Sequence, residues 1–278
     1  MLRGKDATLA AIIETIIREE PETQEEIAKK LNISRRYVAK LLKPLIDEKI
    51  VLHPYVVDID KLSKLEIYNI IEKPIFQIID LLDKMGDKVL QNLDKVHKAL
   101  KTGNVEDAKS VIFQDYTLNK LEEEVDITLK MDSLRYLPPR QRALLSKIAS
   151  NIERCGDYLS NIAEEVIEGL YIKDYLQEDI EEIFSIIKRM FTIAMDVVKD
   201  KKVSFEIYDL EEELHRKLDK ILKTLCEKEK CKATDINYYI QFGMFLKDVE
   251  RFGDRCIKIF ETAREFHYGV EGENSRDR

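Results

Sequence analysis

A short pattern, written twice, constrains this chain more than any other feature. Glu153-Arg154-Cys155-Gly156-Asp157, followed by Ile162 and Glu164, returns as Glu250-Arg251-Phe252-Gly253-Asp254, followed by Ile259 and Glu261. Both copies read E-R-x-G-D-x-x-x-x-I-x-E, and every shared position is displaced by the same 97 residues. In a chain that is 36% charged, one isolated match would be chance. A set held at one offset indicates an internal repeat.

The surrounding pattern is helical. With 9 Gly and 6 Pro in 278 residues, the composition argues against a β-sandwich or a disordered chain. A first unit has an apolar stripe running from Ile67 through Leu93 to Val96, a helix over about 105–131, and a third over about 140–167 after Leu137-Pro138-Pro139. A second unit repeats the order, with helices near 176–199, 204–228 and from about 236 to 266. Each third helix carries the E-R-x-G-D pattern. The predicted fold is mainly α, with two tandem three-helix repeats forming a six-helix bundle array. The repeats span 66–172 and 173–267, and a polar, disordered tail covers 268–278.

Residues 1–60 read differently. An apolar helix over 7–18 is followed by Thr23 and Glu26 as a capping box, a short helix, and a turn at Asn32-Ile33-Ser34. A second capped helix follows, with Val38, Leu41, Leu42, Leu45 and Ile46 inward. Then comes a β-rich segment with Pro54 at its turn, and a linker over 58–66. Three helices and a ribbon make a winged helix-turn-helix, and the wording TQEEIAKKLNISRRYVAKLLKPLIDEKIV resembles that family. From Ile27 to Ile46 the charged residues are Lys29, Lys30, Arg35, Arg36, Lys40 and Lys43, with no acid among them. That basic window lies where a recognition helix meets base edges and phosphates. A DNA operator is therefore the expected partner, with a docked protein as the other use of the fold. The chain as a whole is acidic, with net charge -8, so any DNA contact is local.

No apolar run reaches the ~18–20 residues that span a bilayer. Glu14 interrupts the N-terminal apolar stretch, which reads as a helix and not as a signal peptide. Cys155, Cys226, Cys231 and Cys256 form no CxxC pair and suit reduced thiols in a cytoplasmic protein. A local Cys226–Cys231 bridge is the alternative.

On a helical wheel, Ile152, Cys155, Leu159 and Ile162 share one side of the third helix. Glu153, Asp157, Ser160 and Glu164 lie roughly 150° away at 100° per residue. The second copy repeats this, with Val249, Phe252, Cys256 and Phe260 inward and Glu250, Asp254 and Glu261 outward. Carboxylates at i and i+4 project side by side, and they repel unless an arginine or a hard cation lies between them. The alternative is a solvated acidic face. Asp115, Asn119, Glu122 and Asp126 form a stripe on the middle helix of the first unit that would complete an oxygen-rich site. In the second unit Glu206, Asp209, Glu211, Glu212 and Glu213 are available without a clear register. Gly156 and Gly253 fall between the two sides, where a neighbouring helix approaches closely. His53, His97, His215 and His267 read as surface residues, and Glu212-x-x-His215 is a weak echo of a di-iron motif.

DYTLNKLEEEVD, NIERCGDYLSNIAEE and DVERFGDRCIKIFE, over about residues 66–266, resemble the PhoU family of phosphate-uptake regulators. The resemblance implies multinuclear metal clusters on the outer helix faces and a regulatory, non-enzymatic role. It places Asp115, Asn119, Glu122, Glu153, Asp157 and Asn161 at a first metal site, and Glu250 and Asp254 at a second. Iron or zinc is the implied metal, with magnesium or calcium as alternatives. This chain departs from the simplest family members in its fused winged helix, and from the motif in lacking a clean D-x-x-x-D/N on the middle helix of the second repeat.

The expected protein is a cytoplasmic, homodimeric, metal-binding transcriptional regulator of phosphate uptake that senses metal or phosphate status. Its expected partners are an operator and components of a phosphate ABC transporter or an associated signalling protein. A signalling adaptor that docks on the transporter is the alternative. A metal-dependent enzyme is the third reading.

Overall fold

The computed structural model describes residues 5–19, 21–53, 55–62, 64–65, 67, 74–130, 137–229 and 235–269. The Cys226–Cys231 bridge, Pro54 and the tail beyond Gly269 fall at least partly outside those residues. Contacts divide the chain into two compact units. One is Met1–Ile78 with Asp126–Arg142, and the other is Ile79–Val125 with Ala143–Arg278.

The first unit opens with α1 (Lys5–Glu19), α2 (Gln24–Leu31), α3 (Arg35–Asp47), β1 (Val51–Leu52) and β2 (Val56–Val57). The strands are antiparallel, with Val51 opposite Val57 and Leu52 opposite Val56. Local chemistry sets the boundaries. Thr23 Oγ1 accepts from the Glu26 N–H at 3.2 Å, while the Glu26 carboxylate reaches back to the Glu22 N–H at 3.1 Å, satisfying two donors at the helix start. Asn32 ends α2 in the left-handed region, φ 51°, a conformation its short polar side chain tolerates. Ser34 caps α3 by accepting from Tyr37 N–H. Ile12, Ile13, Ile16, Ile27, Val38, Leu42 and Val51 close a common core.

Three expectations change here. Ile46, expected inward, is exposed. The predicted linker contains a helical turn, α4 (Ile59–Leu62), started by the Asp58 carboxylate accepting from Lys61 N–H. Leu62 and Ile67 join the winged-helix core, so Ile67 does not begin the long helix. That helix, α5, runs Pro74–Thr102, with proline in the first turn, where its missing N–H costs least.

α6 (Val105–Leu129), α7 (Pro139–Ile167), α8 (Gln177–Val198), α9 (Glu206–Glu229) and α10 (Ile236–Tyr268) complete the six long helices. Corresponding helices of the two repeats meet inside the second unit. Met195 of α8 covers Gly86 of α5 so closely that a side chain there would collide. Lys188 reaches Asp94 at 2.6 Å and Lys199 reaches Asp83 at 2.8 Å. On the other side α7 meets α10, where Arg255 donates to the Asn151 side-chain oxygen at 3.2 Å. The buried thiols of Cys155 and Cys256 are free and hydrogen-bond to each other, and burial holds the Cys256 thiol well above its ordinary range.

Two histidines expected at the surface are packed. His97 stacks on Phe184 at 4.4 Å and contacts Glu181 at 3.0 Å. His267 Nε2 lies 3.2 Å from the Val198 carbonyl. An imidazole face is apolar enough to cover core residues while its edge stays bonded.

Candidate metal centres and nucleic-acid interface

The first candidate centre is built by α6 and α7, and one contact fixes their register. Leu118 of α6 lies directly over Gly156, where a Cβ would fall inside its van der Waals radius. With no side chain in the way, α7 comes close enough to bring Asp157 beside Asp115. Asp115 and Asn119 share a face, and the Asn119 amide donates to Asp115 Oδ2 at 3.3 Å. Asp115 Oδ1 is buried without a hydrogen-bond partner among the described residues.

The electrostatics report a crowd of like charges. Glu153 is pushed up to about 7, by burial first and then by the carboxylates of Asp157 and Glu122, with Arg154 opposing. Asp157 is raised by burial and by Asp115, while Arg154 and a hydrogen bond with Glu153 pull it down. The cation that opposes this crowding is Arg154, whose Nη1 stands 3.7 Å from Asp157. Four carboxylates and one amide oxygen, one carboxylate oxygen of them orphaned, are the donor set a hard or borderline cation takes. That is the donor chemistry of a metal site, although no three of these carboxylates bring ligand atoms within 4.8 Å of one another.

Asn161 is not brought to this group. Its side chain turns to Asp248 of α10 at 3.5 Å, because one further turn of α7 carries the face from α6 toward the other repeat. Ser160, expected on the acidic face, is buried. Asp126 groups with the first unit.

The second repeat resolves the middle-helix register that spacing left open. Leu214 of α9 lies over Gly253, 2.6 Å from where a Cβ would be, just as Leu118 lies over Gly156. Leu214 follows Leu118 by 96 residues, so Asp115 corresponds to Glu211 and Asn119 to His215. Ligand atoms of Glu211, His215 and Asp254 all lie within 4.8 Å of one another. Among the described residues, no other three His, Cys, Asp or Glu side chains meet that condition. Burial raises the Glu211 carboxyl, reinforced by Asp254 and Glu261 and opposed by His215 and Lys258. Glu250, assigned to this centre from the sequence, accepts a hydrogen bond from the Lys247 ammonium at 2.8 Å. Glu206 is held by Arg189 at 2.8 Å.

His215 was paired with Glu212 on the sequence. Residues three apart are neighbours on a helix, but Glu211, four apart, is the one that shares the α10-facing side. The internal repeat itself held the signal, since aligning the two middle helices through their leucines places an acid and a histidine opposite Asp115 and Asn119.

On the winged helix, Lys29, Lys30, Arg35, Arg36, Lys40 and Lys43 are all exposed. Lys30 pairs with Glu19, and Arg35 stands 3.8 Å from Glu25. Among the described residues no carboxylate pairs with Lys29, Arg36, Lys40 or Lys43. The wing presents apolar rather than basic residues, Leu52 at 45% and Val56 at 50% exposure.

Comparison with known proteins agrees with this division. The PhoU domain matches twice, over residues 82–166 and 180–263, and a winged helix-turn-helix DNA-binding model matches residues 5–51. An uncharacterized protein of Methanocaldococcus jannaschii is 53% identical over 97% of this chain and 93% of its own. A phosphate-specific transport system accessory protein PhoU homolog of Aquifex aeolicus is 34% identical over 51% of this chain and 68% of its own. The crystal structure of PhoU from Pseudomonas aeruginosa superposes with a TM-score of 0.63 at 22% identity, covering 72% of this chain and 98% of that one. Among the described residues, no helix is long and apolar enough to cross a membrane.

Proposed function

Since the chain belongs to the PhoU family, in a form that carries a winged helix-turn-helix at its N-terminus, we propose that it is a regulator of phosphate uptake that binds DNA and metal. The family is one of regulators rather than enzymes. The observation that carries the DNA half is the solvent-facing row of Arg36, Lys40 and Lys43 on α3, unpaired among the described residues in an otherwise acidic chain. Such a row neutralises phosphates and releases their counterions. The protein acts in the cytoplasm as a homodimer, so that two recognition helices meet two half-sites one helical turn apart. The metal half rests on Asp115, Glu122, Glu153 and Asp157, with Asn119 as the amide donor. Bound there, a cation supplies the positive charge that lets these carboxylates ionise together.

Duplex binding tests the DNA half. Affinity for DNA should fall steeply with salt, and Arg36→Ala with Lys40→Ala should lower the slope of log K against log salt by about 2, near one for each phosphate no longer neutralised. Lys30→Ala and Arg35→Ala should cost less, because Glu19 and Glu25 already partly neutralise those cations. No binding at low salt would end the operator reading.

One observation favours a second reading. Half-exposed Leu52 and Val56 make the wing an apolar ribbon, suited to docking a signalling or transporter protein. In that case Leu52→Asp with Val56→Asp abolishes association with the phosphate transporter's cytoplasmic components and leaves DNA binding unaltered.

A further inference from the structure

One face of the second unit is both apolar and exposed. α7 and α10 run antiparallel there, and three contacts fix their register. The Asn161 amide donates to Asp248 at 3.5 Å, the Gln241 amide donates to Glu168 at 3.2 Å, and the Tyr171 and Tyr238 rings lie 5.0 Å apart. Outward of this seam Ile236, Ile240 and Met244, one turn apart on α10, are 60%, 56% and 53% exposed, and Ile167 and Tyr171 of α7 are exposed beside them. We propose that this α7–α10 face is the surface through which two copies of the chain pair. The proposal rests on the reading of the protein as a homodimer and names the surface that makes it one.

The area suits that partner. The exposed parts of these five side chains amount to roughly 500 Å² of apolar surface, which is large for a patch left to water. A standard interface buries about 800 Å² of each partner, a little over half of it apolar, so the face supplies about what one copy of a stable dimer needs. The charge pattern favours the same chain over a different protein. A two-fold contact sets one patch against itself, so the patch must carry its own complement. Glu164 and Glu168 edge the apolar row on the α7 side, and Lys247 and Arg251 continue the α10 row beyond Met244. The acidic edge is crowded. Glu165, between the two amide contacts, is buried, and its Oε2 has no hydrogen-bond partner among the described residues. Burial raises the Glu165 carboxyl, reinforced by Glu168, Asp248 and Glu164. Lys247 bonds to Glu250 on its own helix at 2.8 Å, an exposed pair of the kind that is cheaply exchanged. A two-fold brings the basic end of one α10 row to the acidic edge of the second copy.

Sedimentation equilibrium of the full-length protein tests this. The wild type should be dimeric at micromolar concentration. Ile240→Glu with Met244→Glu should weaken pairing by at least roughly a hundredfold, because each carries an unpaired charge into the interface. Both positions face solvent within one copy, so the circular dichroism spectrum should not change. Glu164→Lys with Glu168→Lys should weaken pairing as well, and adding Lys247→Glu with Arg251→Glu to the same chain should restore it. A dimer unaltered by Ile240→Glu with Met244→Glu, or charge changes that fail to offset each other, would overturn this proposal and leave the homodimer standing on another face. A monomeric wild type would overturn both. Slowed hydrogen exchange over residues 236–247 on adding the phosphate transporter's cytoplasmic components would then assign the face to them.

Discussion

A carboxyl held near 7 by burial and by its neighbours, as Glu153 is, favours the folded state only while it stays protonated. Its folded value lies above its unfolded value of about 4.5. The contribution is therefore full below about pH 4.5 and is lost as pH rises through 7. The shift corresponds to about 3 kcal/mol at 1.36 per unit, cut to about 1–2 kcal/mol because Glu153 is only half-buried and solvent screens it. In chelator-treated protein, Glu153→Gln should be more stable than wild type by that amount at pH 8 and indistinguishable near pH 4. Denaturant titration at the two pH values measures it, and a pH-independent difference would refute the linkage. A second residue points the same way. Asn92 is fully buried, and neither of its amide atoms has a hydrogen-bond partner among the described residues. The buried positions of α5 at Leu82, Met85, Val89, Leu93 and Val96 recur 98 residues later as Ile180, Ile183, Ile187, Phe191 and Ala194, which sets Asn92 opposite Met190. Asn92→Leu should raise stability by about 1–2 kcal/mol, by removing unsatisfied polar atoms from an apolar layer. A loss would reveal a hidden partner.

At the scale of helices, glycine marks where two of them touch, and not every glycine does so. Alanine gains about 1 kcal/mol of helix propensity over glycine. At Gly243 of α10 a Cβ would meet nothing within 4 Å, so Gly243→Ala should realise that gain. At Gly156 and Gly253 the added methyl runs into Leu118 and Leu214. Overpacking of a core costs typically ~1–3 kcal/mol, so each substitution should be destabilising by up to about 2 kcal/mol net. Because those leucines set the spacing of α6 from α7 and of α9 from α10, Gly156→Ala should weaken metal at the first centre and Gly253→Ala at the second. Thermal unfolding and metal titration of the three variants separate the cases. Equal midpoints for Gly243→Ala and Gly253→Ala would contradict the packing described.

Across the molecule, two compact units with separate apolar cores predict unfolding that is not two-state. Scanning calorimetry should give a van't Hoff enthalpy below the calorimetric one. A metal that binds only the helical bundle stabilises only that unit, by about 2.7 kcal/mol at a hundredfold excess over Kd. Added zinc should therefore move one transition and leave the other still. A single transition that shifts as a whole would show that the units unfold together.

Periodicity, caps and the duplicated E-R-x-G-D pattern determined the helices, the winged helix, the repeat and the outward carboxylate pairs, because these depend on neighbours three or four residues away. The capping residues Thr23 and Ser34 and the basic window are local in the same sense. What a side chain meets on another helix is not local. Only the packing of Leu118 on Gly156 and of Leu214 on Gly253 decided that Asp115 faces Asp157, and that Glu211 and His215 stand beside Asp254. Other tertiary contacts turned Asn161 toward Asp248, buried Ser160, stacked His97 on Phe184 and, within the first unit, drew Leu62 from a supposed linker into the winged-helix core. A wheel gives the direction in which a residue leaves its own helix. The depth at which a second helix passes, fixed here by a missing Cβ, decides which of those residues share a site.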